Sequence, residues 1–120
     1  MKDSILREKS FAFALRTLKL NRHLSNEKEF VLAKQVLRSG TSIGANVEES
    51  IHAQSKSDFI SKLSIAQKEA IETNYWLRLL KESGYLTTGQ ADSLLSDCGE
   101  IQRLLTASIK TAKQNLKRGQ

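Results

Sequence analysis

Proline is absent from this chain, and with it the commonest breaker of helices. Cys98 is the only cysteine, so no internal disulfide can form, and its place in an apolar stripe reads as a small buried hydrophobe. No apolar run approaches the ~18 residues needed to cross a bilayer. The N-terminus lacks the basic start, apolar core and small-residue cleavage site of a secretory signal, so a cytoplasmic protein without membrane contact is expected. Aromatic residues are few, and Phe59, Tyr75 and Trp76 are not interleaved with basic residues as a stacking platform for single strands requires. Acidic residues are missing after Glu100, where Lys110, Lys113, Lys117 and Arg118 follow.

What remains is rich in Leu, Ala, Lys, Glu, Ser and Gln, the composition of long helices. The 120 residues suffice for one domain with its own core. The pattern predicts four helices, at about 4–24, 27–53, 56–83 and 88–116. Asp3 or Ser4 is expected to cap the first, and Asn26 with Glu29 to form a capping box for the second. Ser55 with Asp58, or alternatively Ser57, opens the third, which Gly84 ends as a left-handed residue. Thr87 with Gln90 opens the fourth. Connections this short join antiparallel neighbours, so the expected fold is all-α, a single up-down-up-down four-helix bundle over residues 1–120.

Core stripes run along the second helix through Leu32, Val36, Gly40, Ile43, Val47 and Ile51, and along the fourth through Leu94, Cys98, Ile101, Leu105, Ile109, Ala112 and Leu116. The third has one in Phe59, Leu63, Ala66, Ala70 and Leu77, while Ile65, Trp76 and Leu79 point roughly the other way. The first has two: Phe11, Leu15 and Leu18, and separately Leu6, Phe13, Leu20 and Leu24. A monomeric bundle needs one stripe per helix. Leu6, Phe13, Leu20, Leu24, Ile65, Trp76 and Leu79 are therefore assigned to a contact surface for self-association, unless the first helix simply has a wide core face.

Gly40 and Gly44 stand one turn apart within a helical pattern. Each costs a helix about 1 kcal/mol relative to Ala, so the segment reads as a seam for close backbone approach. It is not a phosphate loop, because no strand precedes it and the Lys-Ser/Thr ending is missing. Ser39, Thr41 and Ser42 have no histidine placed to activate them and are expected to bond back to the preceding turn. Glu49 and His52 have the Glu-x-x-His spacing of di-iron bundles, but only one copy exists, and the acids Asp97 and Glu100 fall off the stripe of the fourth helix. No metal, cofactor or catalytic residue is assigned. Glu48, Glu49, Glu69 and Glu72 read as partners in surface ion pairs.

The net charge is +6, and it is uneven. Residues 1–25 hold Lys2, Arg7, Lys9, Arg16, Lys19 and Arg22 against Asp3 and Glu8. Lys2, Lys9, Arg16 and His23 recur every seven residues, so on a helix they form one ridge with Lys19 beside it. Together with Lys110, Lys113 and Lys117 they are the candidate contacts to a phosphate backbone, RNA rather than DNA, recognised by shape and charge. A solvated face is the plain alternative.

The run Arg38-Ser39-Gly40-Thr41-Ser42-Ile43-Gly44-Ala45-Asn46 carries a resemblance, extended by Phe11-Ala12-Phe13-Ala14-Leu15, by the segment from Gln54 to Ala66 and by that from Glu69 to Leu80. Over nearly its whole length the chain resembles the four-helix-bundle proteins encoded within intervening sequences of bacterial large-subunit ribosomal RNA genes. It is also similar to the accessory variability determinant of diversity-generating retroelements, a basic bundle that works with a reverse transcriptase and nucleic acid. The resemblance implies a helical bundle that assembles into rings of five and has no established enzyme activity. The expectation is a non-enzymatic homopentamer that binds nucleic acid, with a scaffold docking a protein such as a reverse transcriptase as the alternative.

Overall fold

Three tight reversals divide the chain into α1 (Lys2–Asn26), α2 (Phe30–Ile51), α3 (Lys56–Glu82) and α4 (Thr88–Lys117). The computed structural model describes the backbone of residues 2–119 and the side chains of residues 5–119. The side chains of Asp3 and Ser4, expected to cap α1, lie outside the described residues. Each later helix starts where a side chain can accept a free amide of its first turn. Ser55 Oγ accepts from the amide of Asp58. Thr87 and Gln90 form the complete capping box, each side chain accepting from the other's backbone amide.

The start of α2 differs from the expected Asn26 cap. Asn26 is the last residue of α1, Lys28 reverses the chain at φ 61°, and the Glu29 carboxylate takes the cap, accepting from the amide of Leu32 at 2.8 Å. Lys28 fills the left-handed position that usually selects glycine, so the sequence carries no obvious mark of the turn. The α3–α4 reversal uses Gly84 at φ 84°, and the amides of Tyr85 and Leu86 both donate to the carbonyl of Leu80. Leu86 is thereby folded back and buried at that end of the bundle.

Adjacent helices run antiparallel, because partners rise in number on one helix as they fall on the next. Arg7 meets Glu48 and Asn21 meets the carbonyl of Ala33; Lys62 meets Glu49 and Thr73 meets Ser39; Lys81 meets Asp92 and Gln67 meets Thr106. Lys9 with Glu100 and Arg16 with Asp97 close α1 onto α4. The result is a four-helix bundle of 51 × 22 × 20 Å, all-α, with no strand among the described residues.

The core holds Val36, Ile43 and Val47 of α2, Leu63, Ala66, Ala70, Leu77 and Leu80 of α3, and Leu94, Cys98, Ile101 and Leu105 of α4. Ile51 and Leu116, placed in core stripes by periodicity, are exposed, because they sit in the last turns of their helices where the neighbours no longer cover them. On α1 the two stripes are exchanged. Leu6, Phe13, Leu20 and Leu24 are the core face, and Phe11, Leu15 and Leu18 are open to solvent. The reason is α2. Gly40 lies against the side chain of Thr17, and Gly44 against the backbone of Ser10. Ser10 and Thr17 belong to the flank of the Leu6–Phe13 stripe, so only that face can approach the glycine-bearing side of α2 closely.

Hydroxyls at this seam are satisfied locally. Thr17 Oγ1 donates to the carbonyl of Ala14 and Ser10 Oγ to that of Arg7. Thr41 and Ser42 bond back to Leu37 and Arg38. Thr73 Oγ1 donates to Ser39 Oγ at 2.8 Å in the buried α2–α3 contact, so both polar side chains enter the core with a partner.

Candidate nucleic-acid and assembly surfaces

The α1 ridge survives as geometry, but two of its cations, Lys9 and Arg16, are paired. Lys9 and Arg16 lie along the flank of α1 that faces α4, where Glu100 takes Lys9 at 3.1 Å and Asp97 takes Arg16 at 2.6 Å. The Arg16 guanidinium also donates to the hydroxyl and the carbonyl of Ser93. Asp97 and Glu100, which periodicity leaves off the core stripe, are thus turned towards α1. Arg16, Lys19 and His23 line a cavity of about 320 Å³ floored by Leu20, Leu86 and Leu94. Of this ridge, Lys19 is exposed and His23 half-buried, while the Lys2 side chain lies outside the described residues.

The other candidates fall at the far end of α4. Lys110, Lys113 and Lys117 are exposed, and none has an ion-pair partner among the described residues. They border a groove of about 460 Å³ between α3 and α4, completed by Gln67, Thr106, Ile109 and Gln114. Gln67 Nε2 donates to Thr106 Oγ1 at 2.5 Å and to the carbonyl of Gln102 at 3.3 Å, tying the floor of the groove across the two helices.

The residues assigned to self-association separate in the same way. Leu6, Phe13, Leu20 and Leu24 are core residues and cannot face a partner. Ile65 and Leu79 remain exposed at 41% and 37%, and Ile71 and Tyr75 share the outer side of α3 with Leu79. Trp76 is half-buried against the core, and its Nε1 donates to Glu72 Oε2 at 2.9 Å. Glu72 also pairs with Arg38, which reaches Glu69 at 2.9 Å. The Trp76 hydrogen bond and then Arg38 hold the Glu72 carboxyl below the usual range, and Glu72 and Glu69 push the Arg38 guanidinium up.

Sequence periodicity alone did not select the outward α1 face as a contact surface. Phe11 is 67% exposed, with Leu15 and Leu18 beside it. Ala14, Thr41, Gly44 and Ala45 form a shallow groove of about 770 Å³ next to Phe11, edged by the bidentate Arg7–Glu48 pair. The signal was in the sequence: the small residues of the glycine run leave no side chains to fill the α1–α2 furrow.

No group of three or more potential ligands is assembled among the described residues. His52 is exposed and lies 3.9 Å from Glu48, on the outside of the bundle. Cys98 is buried, its thiol pushed up to about 12 by desolvation and then by nearby Asp97, and it donates to the carbonyl of Ala70. A thiol held neutral in this way is a poor nucleophile. No described helix is long and apolar enough to cross a membrane.

The model of the 23S rRNA-intervening sequence protein family matches residues 2–107. A crystal structure from Bacteroides thetaiotaomicron VPI-5482, described as a protein with unknown function from the S23 ribosomal protein family, is 54% identical. It covers 92% of this chain and 99% of its own, with a TM-score of 0.90. No functionally curated protein matches.

Proposed function

Because the chain belongs to the 23S rRNA-intervening sequence protein family, we propose that it is a non-enzymatic, self-associating bundle whose basic surface binds nucleic acid, RNA in preference to DNA. The observation that carries this is the cluster Lys110, Lys113 and Lys117, cations without an ion-pair partner among the described residues, on a chain of net charge +6. Phosphate contacts of this kind release counterions and require no reading of bases. Lys19 and His23 are a secondary contact, and Lys9 and Arg16 act chiefly as clasps between α1 and α4.

Self-association draws on two separate apolar faces, Phe11, Leu15 and Leu18 on α1 and Ile71, Tyr75 and Leu79 on α3. Two unlike faces on one protomer favour head-to-tail contacts, which form a ring when the rotation between protomers closes. A homopentamer in the cytoplasm is the specific proposal. Light scattering coupled to size exclusion on nuclease-treated protein tests it, with five times the 13.5 kDa chain mass expected and a monomer overturning it. Binding to RNA that does not weaken as salt rises would remove the nucleic-acid part.

The groove beside Phe11 favours a second function, a scaffold that docks a protein partner such as a reverse transcriptase. Recovery of that partner after nuclease treatment, and its loss on Phe11→Asp, would support it.

A further inference from the structure

We infer that the α3–α4 groove is a seat for one unpaired nucleotide, with the lysines on its rim holding the adjoining phosphates. The inference rests on the nucleic-acid function proposed above and narrows it from a charged surface to a shaped site. Size is the first ground. At about 460 Å³ the groove lies in the range of small-ligand sites, roughly 300–1,000 Å³, and is far too small to admit a duplex. Its lining is the second. Ile109 and the methylene stems of Lys110, Lys113 and Lys117 offer an apolar bed for a base or sugar, while the ammonium heads stay at the rim.

The third ground is Gln67. Its Nε2 is fully used on Thr106 and Gln102, but its Oε1 is buried with no hydrogen-bond partner among the described residues. A buried acceptor left unpaired is costly, and such groups are few in folded proteins. With Nε2 held by Thr106 and Gln102, this oxygen is the polar atom of the groove-lining Gln67 side chain left for a ligand, and a ribose hydroxyl or an exocyclic amine that reaches it supplies the missing donor. A phosphate alone leaves Gln67 unsatisfied; a nucleotide meets both the cations and the acceptor. Position is consistent with this. The groove lies at the end of the bundle where α4 runs past the start of α1, so a strand can reach it from solvent. The nucleotide can be part of a strand or free, and the test separates the two.

Fluorescence anisotropy would compare a labelled single-stranded oligouridine with a duplex of equal length, on the full chain. Wild type is expected to prefer the single strand. Lys110→Glu/Lys113→Glu should weaken that binding about ten-fold and lower the salt slope by about 1.4, the value for two single-strand phosphate contacts. Lys28→Glu/Lys34→Glu makes the same charge change at the opposite end of the bundle and should stay within about two-fold of wild type. Equal loss in both variants, or a preference for duplex, overturns the inference while leaving nucleic-acid binding in place. If wild type binds neither strand, the nucleic-acid function fails. Uridine monophosphate then decides the groove: chemical-shift changes at the Gln67 side-chain amide and Thr106 establish a mononucleotide site, and their absence overturns the inference too.

Discussion

Thr17 of α1 occupies the space that a side chain on Gly40 of α2 would need. Its methyl group and Cβ stand directly over the glycine, and its hydroxyl is fixed by the carbonyl of Ala14. Glycine inside α2 is therefore the condition for α1 to lie where it does.

Gly40→Ala gains about 1 kcal/mol of helix propensity but forces a β-branched, fully buried neighbour to move. Overpacking of this kind costs about 1–3 kcal/mol, so the net expectation is a loss of up to about 2 kcal/mol. Urea denaturation measures it. Thr17→Ser in the same chain removes the obstructing methyl and should restore part of the loss; no recovery would mean that Thr17 is not the obstacle.

Replacing Phe13 or Leu24 by Ala empties a fully buried site and should cost about 3–5 and 2–5 kcal/mol respectively. Phe11→Ala, on the other α1 face, should change the stability of the isolated bundle by less than about 0.5 kcal/mol. The contrast distinguishes the two stripes directly, and equal effects would contradict the assignment of the core face.

Glu72 confers a pH dependence. Its carboxyl is held below its ordinary 4.5 by the Trp76 hydrogen bond and by Arg38, so the folded state binds this proton more weakly than the unfolded chain. The stabilisation is present above 4.5 and is lost as pH falls through the lower, folded value. Thermal melts from neutral to acid pH should show a smaller acid-side decline for Glu72→Gln than for wild type. Trp76→Phe should reduce the decline as well.

Cys98 should be silent to thiol reagents in the native protein at pH 8. Its thiol is pushed up to about 12 and buried, so labelling requires opening of the bundle. The rate should follow unfolding as urea is added; prompt labelling without denaturant would show that α4 opens locally.

The helices and two of the three reversals could be read from capping residues and glycine, because those signals are local. The start of α2 could not, since Lys28 adopts the left-handed turn without being glycine. The face of α1 was ambiguous for a different reason. Leu6/Phe13/Leu20/Leu24 and Phe11/Leu15/Leu18 each recur at helical spacing, and only the small hydroxyls at Ser10 and Thr17 distinguish the stripe that meets Gly40 and Gly44. The basic ridge was visible as a ridge, but not the pairing of its Lys9 and Arg16. That Asp97 and Glu100 face it depends on how α4 is rotated, which no pattern within α1 can report.

The clasp between Arg16 and Asp97 joins residues 81 positions apart, whereas each earlier helix pair is linked across a single short turn. Folding can thus proceed as a series of local hairpins, with the entropy of closing a long loop deferred until α4 returns to α1. Such a chain is expected among fast folders, with the docking of its first helix against its last as the expected final step. A transition state in which α2 and α3 are paired while the ion-pair seam is still open would leave variants of Lys9, Arg16, Asp97 and Glu100 altering the unfolding rate and sparing the folding rate.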